Sequence, residues 1–390
     1  MIPFLLMHKN TECGLLSIDE DTGNFEDYKD FHIGCSPFMG NANKANMKIW
    51  WEARAVPASR EDIIALINDL SITTSEDYLA KNLAISVTDA YWIKPIEDKL
   101  TFEDVNFLNF KKYHDGKLPY HNATSYDPNA SLGGQMEKCW DLSGNIPILR
   151  KEAYKSFGQQ AINEQFATMI HQRQDNKDIP YVSYTIEHMD NGGIVSLCDA
   201  FTNLDKELIT AYEILESEKN DNSENNYSAY IKICSKHGID ASLMRDFMDY
   251  QTLTDFIISN TDEHLGNFGV LRDSNSMELI GPAPIYDSGN SMFYSDLLNR
   301  QFTRVELLER KITGFYKSEE KMLKNVKNKK IVHADLLPVK EEVATFYKEN
   351  GIPEIRADII SENYELKLQL LNEFQNGKTI SLYSEKRHKG

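Results

Sequence analysis

D-F-I-I-S-N-T-D-E-H-L-G-N-F-G-V-L (residues 255–271), with L-I-G-P-A-P-I-Y-D-S-G-N (residues 279–290), decides how the chain reads. It carries Asp262, His264 and Asn267, then Asp287 in a second loop. Asp-x-x-x-x-Asn followed by a further Asp supplies what phosphoryl transfer needs from a protein. One carboxylate meets the incoming hydroxyl; an amide oxygen and a second carboxylate hold magnesium on the nucleotide phosphates. The spacing of Leu243, Phe247, Met248 and Phe256 predicts a helix over residues 241–259, ending around Asn260 and Thr261. Gly266 and Gly269 mark a loop. Phe268, Val270 and Leu271 predict a short buried strand, and G-P-A-P a turn leading to Asp287. Polar loop residues braced by apolar elements are where catalytic groups sit.

These motifs carry a family resemblance. D-x-H-x-x-N-F followed by P-x-Y-D resembles the catalytic and metal loops of the HipA-like serine/threonine kinases, some of which are bacterial toxins. The resemblance implies that Asp262 is the catalytic base, that Asn267 and Asp287 bind Mg2+, and that ATP is the phosphoryl donor. N-T-D and Y-D-S stand where other protein kinases have H-R-D and D-F-G. His264 is expected to hold the loop, on the nucleotide side of the site, through hydrogen bonds.

Upstream, S-L-G-G-Q-M-E-K-C-W (residues 131–140) has paired glycines between apolar runs. Gly133 and Gly134 would let backbone amides approach phosphate, although a hairpin turn has the same composition. Ser131, Gly134, Glu137 and Lys138 also match the S-x-x-G-x-x-E-K loop of HipA-like kinases, whose serine is an autophosphorylation site. Residues 146–149 predict a strand ending at Lys151, the lysine expected on the α- and β-phosphates. Arg150 and Lys138 compete for that role, and strand register decides between them. Ser156-x-x-Gln159 resembles a capping box for a helix through Ala161, Ile162, Phe166, Met169 and Ile170. Glu164 on that helix is the candidate partner of Lys151; a solvated helix glutamate is the bland alternative. Residues 181–186 and 193–201 predict strands around M-D-N-G-G, and the second, through Cys198, is a candidate hinge for adenine. Residues 203–216 predict the first helix of a large lobe.

Other segments are less informative. Ser59-Arg60-Glu61-Asp62 resembles a capping box before Ile63, Ile64, Ile67 and Leu70 at helical spacing. Trp50, Trp51 and Trp92 read as core residues, with a docking surface as the alternative. Residues 121–130 read as a linker, 216–226 as a solvated loop, and 317–330 as a lysine-rich helix face. Residues 355–374 predict a closing amphipathic helix, and S-E-K-R-H-K-G a mobile tail.

The 390 residues can bury a large core, and length predicts two or three domains. With 60 acidic against 42 basic residues the net charge is −18, which repels nucleic acid phosphates. No membrane span is read, and M-I-P-F-L-L-M is too short for a signal peptide. Five scattered cysteines without C-x-x-C predict reduced thiols in a cytoplasm.

The expectation is therefore an α+β chain with a two-lobed protein-kinase-like fold. An N-terminal accessory domain would cover residues 1–120, a small lobe 121–202 and a large lobe 203–390. Its reaction would be transfer of the ATP γ-phosphoryl to a protein hydroxyl, with Ser131 as an autophosphorylation site. The resemblance points to an aminoacyl-tRNA synthetase or other translation factor as substrate, and to an antitoxin as partner if the chain is a toxin. Two alternatives stay open: a kinase of lipids or small molecules, and a non-catalytic binding or immunity protein on the same fold.

Overall fold

The computed structural model describes residues 1–57, 60, 72–109, 127–134, 136–174, 176–218, 225–296 and 300–387. The Ser59–Asp62 capping box (apart from Arg60), the helix expected after it and the boundary expected at residue 120 lie outside the described residues. So do residues 121–126 of the expected linker and 219–224 of the expected loop. Among the described residues, no helix is long and apolar enough to cross a membrane.

The architecture is mixed α/β. One sheet has the order β3-β2-β1-β4, from β1 (Ile2–His8), β2 (Thr11–Ile18), β3 (Phe25–Asp30) and β4 (Tyr91–Pro95). Its pairings are all antiparallel. A second has the order β5-β6-β8-β7, from β5 (Glu137–Asp141), β6 (Ile148–Ala153), β7 (Thr185–His188) and β8 (Ile194–Asp199). A third has the order β11-β10-β9, from β9 (Lys206–Thr210), β10 (Gly269–Asp273) and β11 (Leu279–Pro282).

The chain forms two compact units. The first comprises Met1–Lys151, Cys198–Asp221 and Leu271–Ile280. Here α1 (Lys44–Arg54) and α2 (Ser75–Lys81) join the first sheet. Trp50, Trp51 and Trp92 are buried in its apolar cluster, as their composition predicted. Arg54 is buried with them, its guanidinium bidentate on Asp89 at 2.7 and 2.8 Å.

Two readings of this unit are corrected. The cysteines were expected as reduced thiols, but Cys13 and Cys35 form a disulfide with Cα atoms 5.5 Å apart. The β2–β3 pairing continues to Phe31, whose N–H donates to the Cys13 carbonyl at 3.0 Å, and this returns the chain alongside Cys13. The helix expected over 203–216 begins as strand β9, and only Ala211–Glu216 is helical. In β9 the buried positions alternate, Glu207 with Ile209, which is a strand period. The Glu207 carboxylate is buried between Arg272 at 2.7 Å and His8 at 3.0 Å. These charges and hydrogen bonds overcome its desolvation and hold Glu207 down at about 2.

The second unit comprises Glu152–Leu197, Asn222–Val270 and Gly281–Gly390. Its helices include α3 (Gln159–Gln174), α4 (Asn226–Lys236), α5 (Ala241–Ile258), α6 (Lys340–Glu349) and α7 (Glu354–Gln375). The Asp240 side chain caps α5, accepting from the N–H groups of Ser242 and Leu243. Ser259 ends it in the left-handed region at φ 53°, one residue before the expected stop.

Three further expectations change here. Ser156 does not cap α3: it and Phe157 lie at φ 52° and 61° inside a 3-10 turn, and the helix starts at Gln159. Residues 317–330 hold only the short helix Glu319–Met322 rather than a long lysine-rich face. Residues 384–387 of the tail expected to be mobile lie in a helix, Leu382–Arg387, with Glu385 bonded to Arg304 at 2.9 Å, and residues 388–390 lie outside the described residues.

Candidate active site

Asp262, His264, Asn267, Asp287 and Glu164 all belong to the second unit. The loop that carries the first three hangs between the end of α5 and the start of β10. It is closed by its own polar groups. The Asn267 N–H donates to the His264 carbonyl at 2.8 Å, and its side-chain Nδ2 donates to the Asp262 carbonyl, also at 2.8 Å. That orientation leaves the amide oxygen as the atom of Asn267 that could meet a cation. His264 is exposed, and its Nδ1 accepts the Gly266 N–H at 3.1 Å. Tyr286 Oη donates to the Gly266 carbonyl at 2.9 Å, tying the loop to the residue before Asp287.

Both oxygens of the Asp262 carboxylate accept hydrogen bonds. Asn290 Nδ2 donates to Oδ2 at 2.6 Å, and Thr313 Oγ1 lies 3.3 Å from Oδ1. Asp287 sits at φ 62°, a left-handed conformation that Asp tolerates better than most side chains. Its N–H donates to Tyr184 Oη at 3.3 Å. Met292 and Phe293 are also left-handed, at φ 48° and 62°, and buried. Bulky residues in that region are strained, and such strain concentrates at functional sites.

Behind the loop lie two carboxyls, the buried Asp255 and the half-buried Glu263. Asn260 Nδ2 bridges them, 3.1 Å from Asp255 and 3.0 Å from Glu263. They line a cavity of about 30 Å³ together with Gln251, Thr313 and Tyr316. Burial raises both above the ordinary carboxyl range, and the charges of Asp255, Asp287 and Asp262 raise Glu263 further. A raised pKa favours the protonated, neutral form of each carboxyl. Among the described residues, no three His, Cys, Asp or Glu side chains converge on a metal-sized site.

Glu164 is fully buried rather than on a solvated helix face, and its carboxylate accepts from Ser196 Oγ. Its Cγ lies near Gly289, where an added Cβ would sit 3.7 Å away. The polar first turns of α3 grip the segment after Asp287. Gln159 Nε2 donates to the Met292 carbonyl at 2.9 Å, and Asn163 Nδ2 to the carbonyls of Gly289 and Ser291 at 2.9 and 2.8 Å.

Ser131, Gly133, Gly134, Lys138, Lys151 and Cys198 belong to the first unit. Ser131 ends a 3-10 turn, Pro128–Ser131, capped by Asp127. Gly134 needs to be glycine: it lies at φ 92°, and a Cβ there would stand 2.6 Å from Lys138 Nζ. The loop is held by a residue whose role the sequence did not disclose. Arg60 is buried, and its guanidinium donates to the carbonyls of Leu132, Gly133 and Gly134 at 2.5, 3.0 and 2.9 Å. Turning those carbonyls toward Arg60 leaves the loop's amides to point elsewhere. On β6 Lys151 is buried and Arg150 partly exposed, so the two face opposite sides of the strand. The strand runs two residues past Lys151, to Ala153. Cys198 is buried on β8.

No protein-family model matches the chain. Over 151 residues it is 30% identical to the serine/threonine-protein kinase CtkA of Helicobacter pylori, a match spanning 37% of this chain and 45% of that protein. The chain thus matches less than half the length of this relative. The crystal structure of the H. pylori proinflammatory kinase CtkA superposes with a TM-score of 0.46 at 14% identity, over 64% of this chain and 95% of that one. A thermostable mutant of the aminoglycoside phosphotransferase APH(4)-Ia gives a TM-score of 0.24 at 9% identity, over 66% and 88% of the two chains.

Proposed function

We propose that the chain is an ATP-dependent serine/threonine kinase of the HipA-like type, with Asp262 as the base that receives the hydroxyl proton. The observation that carries this reading is the state of the Asp262 carboxylate. Both of its oxygens face neutral donors, and its own carbonyl orients the Asn267 amide. An acceptor-only carboxylate fixed beside an oriented amide oxygen is the pairing that hydroxyl activation and phosphate positioning require. Similarity to a serine/threonine kinase over part of the chain supports the same class.

Asn267 and Asp287 would hold the magnesium ion. Their donors are hard oxygens, and magnesium takes one or two such protein ligands with phosphate oxygens and water completing its shell. Asn267 and Asp287 would hold an ion that supplies positive charge to the phosphates. Lys151 and the Gly133–Gly134 loop are assigned to ATP phosphates, Glu164 to the support of Lys151, and Cys198 to the adenine hinge. Ser131 is proposed as an autophosphorylation site: about −1.5 to −2 added charges on the loop would compete with nucleotide phosphates for its donors. The acceptor is proposed to be a protein, a translation factor by resemblance.

The test is transfer of labelled γ-phosphate to lysate proteins, with Mg·ATP affinity measured by calorimetry. Asp262→Ala should lower turnover by about 10²–10⁴-fold while ATP still binds. Asp287→Ala should abolish turnover and weaken Mg·ATP binding. Ser131→Ala should remove label from that peptide. Label on lipid or metabolite but never on protein would overturn the substrate class, and absence of Mg·ATP binding would overturn the kinase reading.

A further inference from the structure

Asn290 donates to the Asp262 carboxylate but is given no role of its own in the reading above. It lies three positions after Asp287, and its Nδ2 donates to Asp262 Oδ2 at 2.6 Å. Its amide is fixed from the other side, where Gln160 Nε2 on α3 donates to Asn290 Oδ1 at 2.8 Å. Chemistry decides the orientation: a flipped amide would put two oxygens together at Asp262 and two N–H groups together at Gln160. The backbone around Asn290 is held as well. Its flanking carbonyls, Gly289 and Ser291, accept from Asn163, which is itself fixed by Tyr347 Oη at 2.7 Å. The Asn290 carbonyl faces Thr261 Oγ1 at 3.4 Å.

We infer that Asn290 is a positioning residue that sets the rotation of the Asp262 carboxylate, and that Gln160 relays the position of α3 to it. This rests on the assignment of Asp262 as the base. A carboxylate's terminal torsion is broad and two-fold, so packing alone does not aim one oxygen at a hydroxyl. Asn290 holds Oδ2, and Thr313 reaches Oδ1 with a hydroxyl shared with the Thr261 carbonyl at 3.2 Å. Of the two donors, the undivided, shorter one is Asn290. A small error in aiming a reacting group costs on the order of 10²-fold in rate. A displacement of the first turn of α3 would act on the base through two side chains without touching ATP.

The experiment compares Asn290→Ala, Asn290→Asp, Gln160→Ala, Gln160→Ala/Asn290→Ala and Asp262→Ala in the full-length protein, with kcat and KM for ATP measured separately. Asn290→Ala should lower kcat by about 10²-fold and leave KM for ATP essentially unchanged. Asn290→Asp keeps the shape but replaces the donor with an acceptor, so it should lose kcat as fully; a packing role would survive it. Gln160→Ala should lose several-fold, and the double variant should be no worse than Asn290→Ala, because Gln160 acts through Asn290. Wild-type kcat in Asn290→Ala or Asn290→Asp, beside an inactive Asp262→Ala, would overturn the positioning role. Losses that multiply in the double variant would overturn the relay. Full activity in Asp262→Ala would instead overturn the base assignment.

Discussion

Replacing Glu319 by alanine should destabilise the second unit by about 3–5 kcal/mol, the cost of breaking a buried ion pair from one side. Glu319 and Lys367 are both fully buried and bonded to each other. Burial holds Lys367 down at about 8 even though Glu319 opposes the shift. Its Nζ lies 3.3 Å from the centre of the Phe256 ring, so the ring is a second neighbour of the cation. Glu319 also takes Arg310 Nε at 3.0 Å and the Ser259 hydroxyl. Without the carboxylate the buried Lys367 ammonium loses its ion pair, while Arg310 keeps Asp296. Against a total stability of about 5–15 kcal/mol, that loss is large. Because Ser259 ends α5 three residues before Asp262, the Asp262–Asn267 loop should loosen as well. The tryptophans, Trp50, Trp51, Trp92 and Trp140, all lie in the first unit, so their fluorescence would miss the event. Urea unfolding followed by far-UV circular dichroism reports the helices instead. Glu319→Leu/Lys367→Met removes both charges and should recover most of the loss. A Glu319→Ala penalty below about 1 kcal/mol, or a double variant as unstable as the single, would refute the reasoning.

Acid should act on the second unit through His171. The ring is buried, stacked on Tyr181 with Nδ1 2.9 Å from Tyr250 Oη, and burial holds it down at about 4, below its ordinary 6.5. A depressed pKa means stability fully present above pH 6.5 and lost as pH falls through 4, about 3 kcal/mol in all. His171→Phe should flatten melting temperature against pH in that window, and an unchanged slope would refute the assignment. Lys151→Ala should lower kcat/KM for ATP on the order of 10²-fold, as for other donors aimed at phosphoryl charge. A larger loss from Lys138→Ala would move the phosphate role to Lys138.

What was legible in the sequence was set by short-range chemistry. Periodicity marked α5 and α7 to within a residue or two at each end, although α5 is buried on all sides from Phe247 to Ile258. The Asp262–Asn267 loop was legible because its closing hydrogen bond spans five residues. The elements misread had partners far away in the chain. Residues 206–210 look helical until Arg272, 65 positions on, stabilises Glu207 in a strand. Ser156 has a capping-box spacing, but the left-handed turn through Phe157 and Gly158 starts the helix later. Cys13 and Cys35 look unrelated until antiparallel pairing carries the chain back. The site divides the same way. Asp262, Asn267 and Asp287 are named by their spacing, whereas Arg60 reaches its glycine loop across 74 positions and Gln160 reaches Asn290 across 130. Candidate reactive groups are named by residue type and local order. The groups that aim them are ordinary amides and guanidiniums, identifiable only by what the fold sets opposite them. Asn290 belongs to the very stretch that announced the site. Its bond to Asp262 nonetheless crosses 28 residues and a strand pair, which spacing alone does not encode.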